Sequence, residues 1–141
     1  MTSLVLDTSV AVAWYLPEIF TPAARRWRDR LLKGRLVLIV PSLHYLEIAN
    51  VLRTYVLRSE ISESIAVEIY DLHLQAPLEV HEPDRSLVLE TALLYEATAY
   101  DAAFISLSRA LEIPILTAER PTTPWVKRLG DQVELVQSDN S

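Results

Sequence analysis

The chain contains no cysteine and only two glycines in 141 residues. Without cysteine there can be no disulfide scaffold, no zinc–thiolate site and no cysteine nucleophile. The absence also fits a reducing cytoplasm. Scarce glycine removes the phosphate-cradling loops: no G-x-G-x-x-G, P-loop or Gly-x-Ser-x-Gly is present. Dinucleotide, nucleotide-triphosphate and hydrolase-elbow chemistries therefore drop out. No apolar run approaches the ~20 residues of a membrane span. The longest, Leu36–Val40, is strand length. The N-terminal MTSLVLDTSV has no basic segment ahead of its apolar run, so it does not read as a secretory signal. Positive charge is also in deficit, with 13 Lys and Arg against 19 Asp and Glu, a net charge of −6. An acidic chain is not a general nucleic-acid adhesive. To handle nucleic acid it needs a local basic patch and metal ions that offset its own carboxylates.

Half of the residues are apolar, which argues against disorder. The length suits a single domain over residues 1–137, followed by a polar, frayed tail over 138–141. Short apolar runs predict five strands at Leu4–Asp7, Leu36–Val40, Leu78–His81, Pro114–Thr117 and Val133–Val136. Continuous apolar runs of this length suit strands covered on both faces, as in a parallel sheet. Helical segments alternate with them. Asp7 precedes a short one over Val10–Leu16. Thr21-Pro22 opens Ala23–Lys33, Ser42 caps Leu43–Arg58, and Ser62 caps Glu63–Gln75. Asp84 caps Arg85–Glu96, Thr98 starts Ala99–Leu111, and a last helix covers Thr123–Leu129. Strands alternating with helices predict an α/β sandwich.

Four acids stand in apolar settings at element ends: Asp7 in VLDTSV, Glu47 in HYLEIANVL, Asp101 in AYDAAFI and Glu119 in PILTAE. A buried carboxylate must be paired, capped or metal-bound. Gathered together, the four would repel unless a divalent cation held them, and hard cations choose oxygen ligands. In an open parallel sheet ligands bind beyond the carboxyl ends of the strands. Asp7, Glu47 and Glu119 can all face that edge. Asp101 reaches it only if the Asp84–Glu96 helix lies obliquely or returns upward. Each acid also has a plainer reading. Asp7 could be an N-cap, Thr98-x-x-Asp101 matches a capping box, and Glu119 could be a solvated loop acid. Glu47 is harder to excuse: its neighbours Leu46, Ile48 and Ala49 are apolar, and Asn50 falls on the same face at i+3, a buried Glu–Asn pair on a core-facing helix. His44, His73 and His81 show no metal-ligand spacing and read as scattered structural or surface residues.

VLDTSVAVAW, PSLHYLEIANVL and AYDAAFISLSRALEIPILTAE together resemble the PIN-domain ribonucleases, above all the toxin subunits of VapBC-type toxin–antitoxin modules. The resemblance runs from Leu4 to about Val136. It implies a three-layer α/β/α sandwich with a five-stranded parallel sheet in the order 3-2-1-4-5. It also implies a cytoplasmic Mg²⁺- or Mn²⁺-dependent endoribonuclease, a homodimer, and a small VapB-like antitoxin as partner. Asp7, Glu47 and Asp101 match the family's metal-site acids. Ser9 and Asn50 match supporting polar positions, and Thr117 the hydroxyl two residues before the last acid. That last acid is usually Asp, whereas this chain has Glu119, whose carboxylate reaches one methylene further. By resemblance the products carry 5′-phosphate and 3′-hydroxyl ends.

Basic residues Arg25, Arg26, Arg28, Arg30, Lys33 and Arg35 cluster on and after one helix. They could track RNA, receive an acidic antitoxin segment, or simply form a solvated face. Trp14 and Trp27, with Tyr15 and Tyr55, could line a groove for an antitoxin helix, although aromatic residues more often pack in a core. Two other functions compete. A PIN-like fold with a degraded site could serve as a binding module, and a structure-specific DNA nuclease would use the same metal chemistry. A phosphoacceptor role for Asp7 is disfavoured, because the second acid expected two residues later is Ser9.

Overall fold

A computed structural model of the protein describes residues 1–136, so the expectation for the tail lies outside the described residues. The strands are β1 (Thr2–Leu6), β2 (Leu36–Val40), β3 (Glu79–Val80), β4 (Ile115–Thr117) and β5 (Val133–Leu135). All pair in parallel, in the expected order β3-β2-β1-β4-β5. The helices are α1 (Thr8–Tyr15), α2 (Thr21–Leu32), α3 (Leu43–Leu57), α4 (Glu63–Leu74), α5 (Arg85–Tyr95), α6 (Ala99–Leu111) and α7 (Pro124–Leu129).

Strand periodicity divides the core in two. Leu4, Leu6, Leu38, Val40 and Leu116 point to one face and pack with Val10, Trp14 and Ile48 of α1 and α3. Their neighbours Val5, Ile39 and Ile115 point to the other and pack with Phe104, Ile105 and Trp125 of α6 and α7. Successive side chains of a strand face opposite ways, so a strand covered on both sides must be apolar throughout. Val5 lies in register with both Ile39 and Ile115, so β1 is the centre of the sheet.

The expected caps of α4, α5 and α6 are present: Ser62 accepts from the Ile65 amide, Asp84 from Ser86, and Thr98 from Asp101. Others differ. Thr21 is the first residue of α2, not its cap; its hydroxyl accepts from the Glu18 amide at 2.8 Å. Ser42 makes no side-chain cap bond, and its amide donates to Glu82 Oε1 instead. β1 starts and ends earlier than expected, because Asp7 leaves the strand and α1 begins at Thr8. β3 has only two residues: it is an edge strand with one neighbour to pair with. The face of α3 is also different. His44, Ile48 and Leu52 are buried at i, i+4 and i+8, whereas Leu46 is 68% exposed and Asn50 is exposed. The expected buried Glu–Asn pair therefore does not form.

Glu96, in a left-handed conformation, ends α5, and α6 opens three residues later at Ala99. The end of α5 and the start of α6 thus share one edge. That is the return the position of Asp101 required.

Candidate active site

Asp7 occupies the N-cap position of α1, but its side chain makes no cap bond. Its Oδ2 accepts instead from Thr117 Oγ1 at 2.6 Å and from Ser9 Oγ at 2.8 Å. The Thr117 contact joins the end of β4 to the end of β1, across 110 residues of chain. Ser9 Oγ in turn accepts from the Ala118 amide, and Thr117 Oγ1 from the Glu119 amide. These hydroxyls tie the loop after β4 to the start of α1. Of the three supporting residues implied by the resemblance, Ser9 and Thr117 touch Asp7; the third, Asn50, lies exposed, and its backbone carbonyl accepts from Thr54.

Glu47 projects from the second turn of α3, and its Oε1 accepts from Thr8 Oγ1 at 2.7 Å. Thr98 caps the backbone of Asp101. Asp101 is nonetheless charge-coupled to Asp7, Glu119 and Glu47, so its place in a capping box does not take it away from the other acids. Glu119 is half-buried, and its Oε2 accepts from Thr123 Oγ1 at 3.4 Å. The four acids are thus charge-coupled at the carboxyl edge of the sheet, from the residue after β1, from α3 and α6, and from the loop after β4.

The field at this edge disfavours ionisation. Burial pushes the Asp7 carboxyl up, opposed by the Thr117 and Ser9 hydroxyls and helped by the Glu119 charge. Burial also raises Glu47, opposed by Thr8 and helped by Asp7. Asp101 is pushed up to about 6, first by burial and then by the charges of Asp7, Glu119 and Glu47. Among the described residues, no three His, Asp or Glu side chains close around a common point tightly enough to cage an ion as they stand. Like charges separate. An oxygen-only donor set is of the kind a hard cation takes.

A pH dependence follows. Asp101 has its folded pKa above its ordinary value of 3.8, so the stability it contributes is full below that value and lost as pH rises through about 6. Two buried imidazoles act with the opposite sign. His44 and His73 are held down to about 3 and about 4, chiefly by burial, so their contribution is present above 6.5 and lost as pH falls. Comparing Asp101→Asn with the wild type isolates the first effect. In metal-free buffer the variant should gain relative stability as pH climbs from about 4 to about 7. A melting difference that stays constant over that range contradicts the coupling.

The outlying candidates are placed elsewhere. Trp14 is 1% exposed and donates Nε1–H to the Ala24 carbonyl at 3.0 Å, so it is a core residue. Arg25 Nε and Arg28 Nη1 both donate to the Trp14 carbonyl, at the C-terminal end of α1, where cations complement the helix dipole. Arg30 stacks over the half-buried Trp27 at 4.5 Å. Arg26 is exposed. Much of the basic cluster therefore serves α1 and α2 themselves.

Two features escaped the sequence. Thr8, between Asp7 and Ser9, is the residue that holds Glu47. His44 and His73 are not scattered: both are fully buried and their Nε2 atoms lie 2.7 Å apart. The only local sign was the i, i+4 spacing of His44 and Ile48, and nothing in the sequence pointed to His73.

The family model for the PIN domain matches residues 4–120. The solved structure of PAE2754 from Pyrobaculum aerophilum is similar, with a TM-score of 0.69 over 96% of this chain and 90% of that one. At 15% sequence identity this likeness shows the fold alone. No curated protein matches. The matched region contains β1 through β4 and all four acids, and on that basis the chain belongs to the PIN-domain family, a fold generally used by metal-dependent nucleases.

Proposed function

We propose that the protein is a Mg²⁺- or Mn²⁺-dependent endoribonuclease, the toxin of a toxin–antitoxin pair. One observation carries the reading: Asp7, Glu47, Asp101 and Glu119 are coupled at one sheet edge, and every charge acting on the first three there is negative. Such an arrangement costs stability and is retained where the charge is used. Asp7, Glu47 and Asp101 would hold the ion, directly or through its waters, with Glu119 completing the site. A bound divalent ion supplies an activated water and neutralises charge building on the phosphoryl oxygens. Thr117 and Ser9 fix the Asp7 carboxylate, and Thr8 fixes Glu47.

The test is cleavage of single-stranded RNA and DNA with Mg²⁺, with Mn²⁺ and with chelator. Metal-dependent RNA cleavage leaving 5′-phosphate ends is expected. Cleavage of DNA alone selects the DNA-nuclease reading, and inertness toward both selects a binding module. Metal should also stabilise the fold. At Mn²⁺ a hundredfold above Kd the gain is about 2.7 kcal/mol. Melting with and without Mn²⁺ measures it, and an unchanged midpoint identifies a defunct site.

An apolar groove of about 480 Å³ between α3 and α4, lined by Leu52, Val56, Leu57, Ala66, Val67 and Tyr70, supports an amphipathic antitoxin helix as occupant. Leu89 and Leu93 on α5, 69% and 72% exposed, support self-association through that helix. Leu93→Glu should therefore shift a dimer to monomer in sedimentation. Among the described residues no helix is long and apolar enough to cross a membrane.

A further inference from the structure

A run of hydrogen bonds, buried at its two central links, leads away from Glu47 through the helical layer. Glu47 Oε1 is 2.7 Å from Thr8 Oγ1, and Thr8 Oγ1 is 2.9 Å from His44 Nδ1. His44 Nε2 is 2.7 Å from His73 Nε2, and His73 Nδ1 is 2.7 Å from the Tyr15 hydroxyl. Both imidazoles are 0% exposed. The rings of Trp14 and Tyr15 pack against His73, and Tyr45 packs against both histidines. Neither imidazole reaches solvent, so the ring protons must be shared with these neighbours.

Their order is then determined. An ionised carboxylate only accepts, so Thr8 spends its one hydrogen on Glu47. The Thr8 oxygen must therefore accept from His44, which places a proton on His44 Nδ1. A neutral imidazole carries one proton, so His44 Nε2 is bare and accepts from His73 Nε2–H. His73 Nδ1 is then bare and accepts from the Tyr15 hydroxyl. Every link donates toward Glu47. The low pKa values of both histidines agree with neutral rings. Hydrogen bonds aligned head to tail polarise one another, and the last of them acts on the carboxylate.

We propose that Tyr15, His73, His44 and Thr8 form a one-directional hydrogen-bond chain that fixes the orientation of the Glu47 carboxylate, which makes them positioning residues for the active site. Their functional meaning rests on Glu47 belonging to that site; the order of the protons does not. Histidine pairs of this kind could be mere packing, but packing does not prescribe tautomers. The chain prescribes two different ones.

Long-range ¹H–¹⁵N spectra of the metal-free protein read them. The wild type should show His44 protonated on Nδ1 and His73 on Nε2. Thr8→Val removes the acceptor while keeping the shape, and should reverse both rings. Thr8→Ser should restore the original order. His44 protonated on Nε2 in the wild type, or an unaltered order in Thr8→Val, overturns the chain. Calorimetric titration with Mn²⁺ then tests positioning. Affinity should fall about 10- to 100-fold in Thr8→Val, the range for an outer partner of a metal-binding side chain, and return in Thr8→Ser. Undiminished affinity in Thr8→Val overturns the positioning role. A wild type with the expected tautomers that binds no Mn²⁺ overturns the nuclease reading, and with it the positioning role, while the proton order stands.

Discussion

Asp7→Asn is expected to abolish RNA cleavage and to make the metal-free protein more stable. The two effects have one cause. The Asp7 carboxylate is buried, raised by desolvation and pressed by the charge of Glu119. Folding must bring that charge out of water with two hydroxyls and the Thr8 backbone to receive it. The amide oxygen of Asn can accept the same bonds from Thr117 and Ser9 without a charge. The variant should therefore melt a few degrees higher in chelator, a gain on the order of 1 kcal/mol. Activity should fall about a thousandfold or more, because several kcal/mol of metal-borne charge stabilisation is lost with the ligand. Melting in chelator and RNA cleavage in Mg²⁺ are the two measurements. A residue serving only as a helix cap would behave oppositely: its loss would lower the melting point and leave turnover intact. Full activity in Asp7→Asn would end the nuclease assignment.

Trp14→Ala should lose about 3–5 kcal/mol of stability. Trp14 is the largest of the fully buried side chains and lies where α1 meets α2. Truncation removes its packing and orphans the Ala24 carbonyl, which now accepts from the indole at 3.0 Å. It also unseats a wall of the pocket that holds His73, whose ring lies 6.0 Å from the indole. At roughly 3 °C per kcal/mol for a chain of this size, the midpoint should drop by about 10 °C. Thermal unfolding followed by circular dichroism measures this. An unchanged midpoint would return Trp14 to the surface role that its sequence position allows. Trp27 should behave differently, since it is half-buried and carries Arg30 on its face.

Much of the site is legible in the sequence. Asp7, Glu47, Asp101 and Glu119 stand out because each carboxylate interrupts an apolar segment, and a charge there demands an explanation. Ser9 and Thr117 come from the family resemblance alone, and both reach Asp7. Asn50 does not fit the expectation for it. Its place three residues after Glu47 suggests a shared buried face, but α3 is turned so that His44, Ile48 and Leu52 face inward. Helical periodicity gives the spacing of a stripe and not its phase. With Leu43, His44, Leu46, Ile48 and Leu52 all on α3, more than one stripe can be drawn.

Sequence alone determined the strands and their parallel arrangement, and the caps at Ser62, Asp84 and Thr98. Those features depend on interactions within a few residues, or on runs apolar enough to require cover on both sides. Tertiary structure decided the phase of α3, the burial of Trp14, the pairing of His44 with His73, and the grip of Thr8 on Glu47. These contacts join residues 10 to 58 positions apart, and they exist only once helices are seated on the sheet. No local propensity encodes them, because an imidazole or an indole shows its partner only after water has been excluded from both.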